Sequence, residues 1–282
     1  MQLVTLTARD GRQLAATLFA AARPEGAVLI ASAMGVPRRF YNGLARFFAE
    51  GGLTALSLDY RGIGDSRLPG GVRAENASLH EWGELDLAAG VQWLRTNVDA
   101  PLAWFGHSVG GQLMGLLPAD AVERAVFVAS QSGYWKFWPS LGGKSAIFGL
   151  WHAAIPLLTL SGKLPMRALG QGEDVPKNVA REWAQWGRHP RYIGRYADRL
   201  ADCAFKSYRG PLTAYAIADD YYAPPATARE LLGLYQHAQT SLSVIEPASL
   251  GVERVGHFGI FRPHFREQVW HGWRERLLGH AA

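Results

Sequence analysis

Apolar residues recur along this chain in two rhythms, short continuous runs and helix-spaced faces, and the two take turns. Residues 2–8 and 12–19 read as two short strands. Asp10-Gly11 between them is a hairpin signal, because Asp and Gly tolerate positive φ. Residues 27–33, Ala-Val-Leu-Ile-Ala-Ser-Ala, form a run suited to a strand buried on both faces. Phe40, Leu44, Phe47 and Phe48 recur at helical spacing within 38–51, and Gly51-Gly52 ends that helix. An apolar strand at 53–58 leads into Asp59. Ser78 caps a helix running to about Asn97, with Trp82, Leu85, Ala89, Trp93 and Leu94 on its inner face. A strand at 101–105, a helix at 112–117 and a strand at 122–130 follow.

The rhythm breaks over 133–207, which shows no clear strand and holds Trp135, Trp138, Trp151, Trp183 and Trp186. Helical patterns lie near 144–159, 176–187 and 191–200. Alternation resumes with a strand at 211–218, a helix at about 225–237, a strand at 241–246 and a final helix at about 264–278. Alternating strands and helices predict an α/β fold: a mostly parallel eight-stranded sheet with an antiparallel start and helices on both faces. The expected division is a core of 1–132 and 208–282, with 133–207 inserted after the sixth strand as a helical cap rather than an independent domain. No repeat or low-complexity linker interrupts it.

Composition narrows the function classes. At 282 residues, 48% hydrophobic and 19% charged, the chain resembles a soluble globular enzyme and is long enough to bury a core without staples. The single cysteine, Cys203, excludes an internal disulfide and a cysteine zinc site, and fits a reducing compartment. The formal charge of +5 is scattered, with modest clusters at Arg38-Arg39 and Arg188-His189-Pro190-Arg191. No basic run reaches the length of a nucleic-acid arm, so no nucleic-acid partner is expected; a mild attraction for anionic substrates is compatible with the charge. The N-terminus lacks the basic start and apolar stretch of a signal peptide, and no apolar stretch is long enough for a membrane span. The expectation is a cytoplasmic protein acting on a small molecule. No ligand spacing supports a metal, and no cofactor is expected.

Gly106-His107-Ser108-Val109-Gly110 fits the G-x-S-x-G nucleophile elbow. In that motif the serine sits on a sharp strand-to-helix turn, the glycines let neighbouring chain approach closely, and the next helix aims its N-terminus at the reacting centre. The context suits it: apolar Leu102-Ala103-Trp104-Phe105 precedes and Gln112-Leu113-Met114 follows. A serine hydroxyl needs a histidine base and usually a carboxylate to orient that base. His257 stands out among the later histidines, because Gly256 and Gly259 permit a tight loop able to deliver the imidazole. His264 and His271 read as surface or packing residues of the final helix, and His237 as a helix-end charge. Asp219 and Asp220 end the strand 212–218, where ligands bind in open α/β sheets, and either is a candidate acid.

Taken together, these features resemble the α/β-hydrolase superfamily over nearly the whole chain, and within it bacterial predicted hydrolases of the serine aminopeptidase and monoacylglycerol lipase-like branch. Asp59-Tyr-Arg-Gly-Ile-Gly-Asp-Ser66 is similar to the family's D-x-R-G-x-G-x-S loop, in which Arg61 is expected to hold backbone in place rather than bind substrate. Asp220-Tyr-Tyr-Ala-Pro224 resembles its acid motif, a register favouring Asp220 over Asp219. The family commonly has His-Gly after the third strand; here Met34-Gly35-Val36-Pro37 stands there. Matching positions gives Val36 and Val109 N–H as oxyanion donors, with Met34 N–H as fallback, each worth about 3–4 kcal/mol of transition-state stabilisation. The family's caps shape specificity, so Met34, Trp135 and Trp138 are expected to touch substrate and to favour an apolar group. The resemblance implies a serine hydrolase that cleaves an ester or related acyl bond through Ser108, His257 and Asp220. An acyltransferase would use the same triad. A binding protein on this scaffold would be expected to have lost a triad member.

Overall fold

The computed structural model describes residues 1–168, 170 and 172–280. The Asp10-Gly11 turn joins β1 (Gln2–Thr7) to β2 (Gln13–Phe19), which pair antiparallel from Gln2↔Leu18 to Thr7↔Gln13. Gly11 takes φ +84°, a left-handed conformation open to glycine. β3 (Gly26–Ala31), β4 (Leu53–Leu58) and β5 (Leu102–His107) are buried at every position, as the continuous apolar runs require of strands covered on both faces. β6 (Arg124–Val128), β9 (Pro211–Ile217) and β10 (Gln239–Ile245) complete an eight-stranded sheet in the order β1-β2-β4-β3-β5-β6-β9-β10. β1–β2 and β2–β4 pair antiparallel and every later pair is parallel.

Successive residues of the central strands serve opposite faces. Ala27, Leu29 and Trp104 join one apolar core with Trp82 and Leu113. Val28, Ile30 and Phe105 join the other with Phe48 and Trp273. The chain runs from β3 outward to β4, then returns to place β5 on the other side of β3. Such a reversal of strand order opens a crevice at the carboxyl ends of the two strands, the favoured ligand site of open α/β sheets. Here it brings the loop after β3 beside the turn after β5.

Two expectations change in the segment between β6 and β9. It holds two short strands, β7 (Lys163–Leu164) and β8 (Val175–Pro176), paired antiparallel; two residues are too few to leave a period. The helix expected at 191–200 is reduced to Gly194–Ala197, because Tyr192 adopts φ +46° and breaks the helical path. The final helix is likewise divided, into Pro263–Phe265, Arg266–Trp270 and His271–Leu278.

This segment is fastened to the sheet by charge as well as packing. The Glu173 N–H donates to the Gly35 carbonyl at 2.7 Å, and its carboxylate takes Arg39, Arg67 and the Gly64 N–H. At a second point His80 Nδ1 meets Glu182 at 2.9 Å and stacks on Tyr196. Burial disfavours the His80 imidazolium, but Glu182, Glu84 and Glu81 outweigh it and hold its pKa above the ordinary value. A pKa raised on folding stabilises fully below the unfolded value and fades as pH rises through the folded one. His80→Gln is therefore expected to lower Tm more at about pH 5.5 than at about pH 9. Equal losses at both, measured by circular dichroism, would reduce this contact to packing alone.

Candidate active site

Ser108 stands at the turn between β5 and the helix Val109–Leu113 with φ 55° and ψ −120°. A non-glycine residue there costs about 1–3 kcal/mol of strain and persists only where its surroundings over-determine it. They do: the Ser108 N–H donates to the Val128 carbonyl at 3.0 Å, and the Ser108 carbonyl accepts from the Gly111 N–H at 3.1 Å. The flanking glycines are sterically required. A β-carbon on Gly106 would lie 2.5 Å from the Gly111 Cα, and one on Gly110 would lie 2.1 Å from the Ala31 carbonyl oxygen.

The two aspartates after β9 divide the work. Asp220, with its side chain fully buried, meets His257 Nδ1 through Oδ2 at 2.6 Å. Its other oxygen accepts the Tyr222 and Ala223 N–H groups, which fix the carboxylate plane. Asp219 does not reach the imidazole; its two oxygens accept the Val255 and Gly256 N–H groups at 3.0 and 2.9 Å. One aspartate thus orients the ring while the other anchors the segment that carries it. That segment is a short helix, Gly256–Gly259, rather than the expected loop. With Nδ1 paired, Nε2 is the nitrogen available to a nucleophile. Ser108 and His257 line the same cavity, without a direct hydrogen bond among the described residues; such contacts are often long before substrate binds.

A buried chain of hydrogen bonds that the sequence did not reveal ties these parts together. The Ala33 N–H donates to the Tyr41 hydroxyl at 2.9 Å. The hydroxyl donates to His107 Nδ1 at 2.8 Å, and His107 Nε2–H donates to the His257 carbonyl at 3.1 Å. Burial first, and then the neighbouring His257, push the His107 pKa well below its ordinary value, so the ring is neutral and carries its proton on Nε2. The second residue of the elbow thereby links the loop after β3 to the backbone of the candidate base. No local pattern encodes this, since the partners are 66 and 150 residues from His107.

At the expected oxyanion site, the candidate N–H groups of the loop after β3 differ in their partners. The Val36 N–H donates to the Ala33 carbonyl at 3.1 Å, closing a turn, and Val36 lines a separate depression beside Pro37 and Phe40. The Met34 N–H donates to no backbone carbonyl among the described residues, and Met34 lines the cavity with Ser108. The Val109 N–H, first in its helix, is free of an intrahelical partner. Among the described residues, Met34 and Val109 thus keep backbone N–H groups that no backbone carbonyl takes. Arg61 points elsewhere: it is buried against Asp86 and Asp10 and acts on the loop's own structure.

The cavity is narrow, about 70 Å³, and almost wholly apolar. Met34 and Trp138 line it, whereas Trp135 does not; Trp135 packs against Tyr134 and Phe148. Instead Trp151, Trp183, Ile147, Leu150 and Met166 complete the wall. A second polar chain fixes that wall: Trp183 Nε1–H donates to the Tyr192 hydroxyl, which donates to Gln112. The Gln112 amide donates to Gln131, and the Gln131 amide to the Tyr222 carbonyl. All its donors run one way, from the insertion through the elbow helix to the acid loop.

The sequence profile described as the alpha/beta hydrolase family matches residues 18–267, and the chain belongs to that family. Its fold is shared with solved structures at low identity. A soluble variant of monoglyceride lipase from Saccharomyces cerevisiae, in complex with a substrate analogue, is 14% identical with a TM-score of 0.69, over 100% of this chain and 97% of that one. The α/β hydrolase GrgF from Penicillium sp. sh18 is 18% identical with a TM-score of 0.62, over 99% of each chain. The esterase EaEST from Exiguobacterium antarcticum is 15% identical with a TM-score of 0.60, over 96% of this chain and 98% of that one. No curated protein sequence matches significantly. Among the described residues, no helix is long and apolar enough to cross a membrane.

Proposed function

We propose that this chain is a serine hydrolase that cleaves an ester of a short, apolar acyl group. The observation that carries the reading is the strained Ser108 opening on the same apolar cavity as a His257–Asp220 pair. His257 Nε2 takes the hydroxyl proton as Ser108 Oγ bonds to the carbonyl carbon. Met34 and Val109 N–H hold the developing oxyanion, and Asp220 stabilises the imidazolium. Collapse breaks the carbon–oxygen bond, and His257 returns the proton to the leaving alcohol. Water, deprotonated by the same ring, then releases the acid and restores Ser108. The segment 133–207 acts as the cap, with Trp151 and Trp183 walling the acyl site. A cavity of about 70 Å³ walled by Trp138, Trp151 and Trp183 favours a short, apolar acyl chain.

A fluorophosphonate probe tests this directly. The expected result is one adduct per chain by intact mass, located on Ser108 by peptide mapping, with ester cleavage falling from butyrate to octanoate. An adduct elsewhere, or none on folded protein, would remove Ser108 as the nucleophile.

A further inference from the structure

We infer that the leaving group of the substrate carries an anion, a carboxylate or a phosphate, and that Arg254 and Arg262 receive it outside the cavity. This rests on the triad reading above. The leaving oxygen takes its proton from His257, so the leaving group lies on the imidazole's side of the serine. There the narrow cavity meets an open depression of about 590 Å³, and Tyr222, His257 and Phe258 form walls of both. The two spaces differ in charge. Apart from His257, the described residues of the cavity wall include no ionisable side chain but Tyr222, and an anion would lose its hydration there without a charged partner. Among the described residues, the depression is lined by Arg254 and Arg262 and by no carboxylate.

Both guanidiniums are exposed and make no ion pair or hydrogen bond among the described residues. Of the carboxylates beside the base, Asp219 is committed to the Val255 and Gly256 N–H groups and Asp220 to His257, and Glu253, next to Arg254 in the chain, makes no ion pair with it among the described residues. On the other side of Phe258, by contrast, Arg39 is paired with Glu173. Among the described residues the two guanidiniums are thus left unpaired at the mouth, where the leaving group departs. An apolar acyl group inside and an anion outside define the substrate class. Its cleavage breaks the acyl carbon–oxygen bond and releases a hydroxy-carboxylate or a hydroxyalkyl or hydroxyaryl phosphate, protonated at the former ester oxygen by His257.

Three esters with one acyl group test this: 3-(butyryloxy)benzoate, 3-(butyryloxy)phenyl phosphate and neutral 3-(butyryloxy)benzamide. Wild type is expected to cleave at least one anionic ester about tenfold faster than the amide in kcat/KM, within the range electrostatic steering provides. That preference shrinks in molar salt, where charges are screened within about 3 Å. In R254Q/R262Q it falls to near one; because the ratio is internal to each protein, a general loss of activity cancels. Whichever anion is preferred names the group. Equal rates for all three in wild type, or a preference unchanged in the double variant, would overturn the inference. Cleavage of none of them by wild type that also fails to take the fluorophosphonate would instead overturn the hydrolase reading beneath it.

Discussion

Ser108→Ala is expected to lower kcat by about a millionfold, and Asp220→Asn by about 10,000-fold, with the double variant no worse than Ser108→Ala alone. The argument is the division of labour at the end of β9. Asp220 Oδ2 accepts a hydrogen bond from His257 Nδ1–H, and this tautomer leaves Nε2 without a proton toward the serine. An asparagine amide in its place selects the wrong tautomer, and the base is lost although the fold is kept. Asp219→Asn separates this effect from mere proximity. Asp219 holds the Val255 and Gly256 N–H groups, so its loss lets the imidazole drift without changing its tautomer. Misplacement of about 1 Å costs about a hundredfold, and the Asp219 variant should lose no more than that. Single-turnover kinetics on a butyrate ester measure all four proteins. An Asp219→Asn loss as deep as that of Asp220→Asn would mean that the adjacent carboxylates act as one unit.

How far the site can be read from the chain depends on the range of each interaction. The central strands are legible because β3, β4 and β5 are apolar at nearly every position, and the elbow because its glycines are dictated by contacts within a few residues or with the adjacent strand. The choice of Asp220 over Asp219 came only from family resemblance, since both end the same strand. Tryptophan counts gave the insertion an aromatic character but not its geometry: Trp135 turns aside onto Phe148 while Trp151, sixteen residues later, reaches the cavity. That a turn bond to Ala33 occupies the Val36 N–H is something no residue type reveals. The chain from Ala33 through Tyr41 and His107 to His257 was out of reach for the same reason. It is an agreement among three distant loops, visible only once the sheet has brought their ends together.

Gly110→Ala is expected to be the most damaging single-methyl change in the molecule, destabilising by about 4 kcal/mol or more and lowering Tm by about 10 °C. The new β-carbon would meet the Ala31 carbonyl oxygen at 2.1 Å and its carbon at 2.5 Å. Both belong to the backbone of β3, which is hydrogen-bonded to β4 on one side and β5 on the other, so neither can yield without disturbing the sheet. If the elbow helix moves instead, it carries the Val109 N–H away from the carbonyl it must polarise. Fluorophosphonate labelling of the surviving folded fraction should then slow by about 100-fold, the usual loss when one oxyanion donor is removed. Gly149→Ala supplies the opposite sign within the same chain. Gly149 ends the helix Leu141–Gly149, which continues into the turn Leu150–Ala154, and its added methyl would meet no heavy atom within 4 Å. There alanine's better helix propensity acts alone and should raise stability by about 0.5–1 kcal/mol. Thermal melts of the two variants beside wild type decide the matter. A Gly110→Ala protein melting within about 2 °C of wild type, less than about 1 kcal/mol of destabilisation, would mean that the strand and the elbow are not in the rigid contact on which the serine's strained conformation depends.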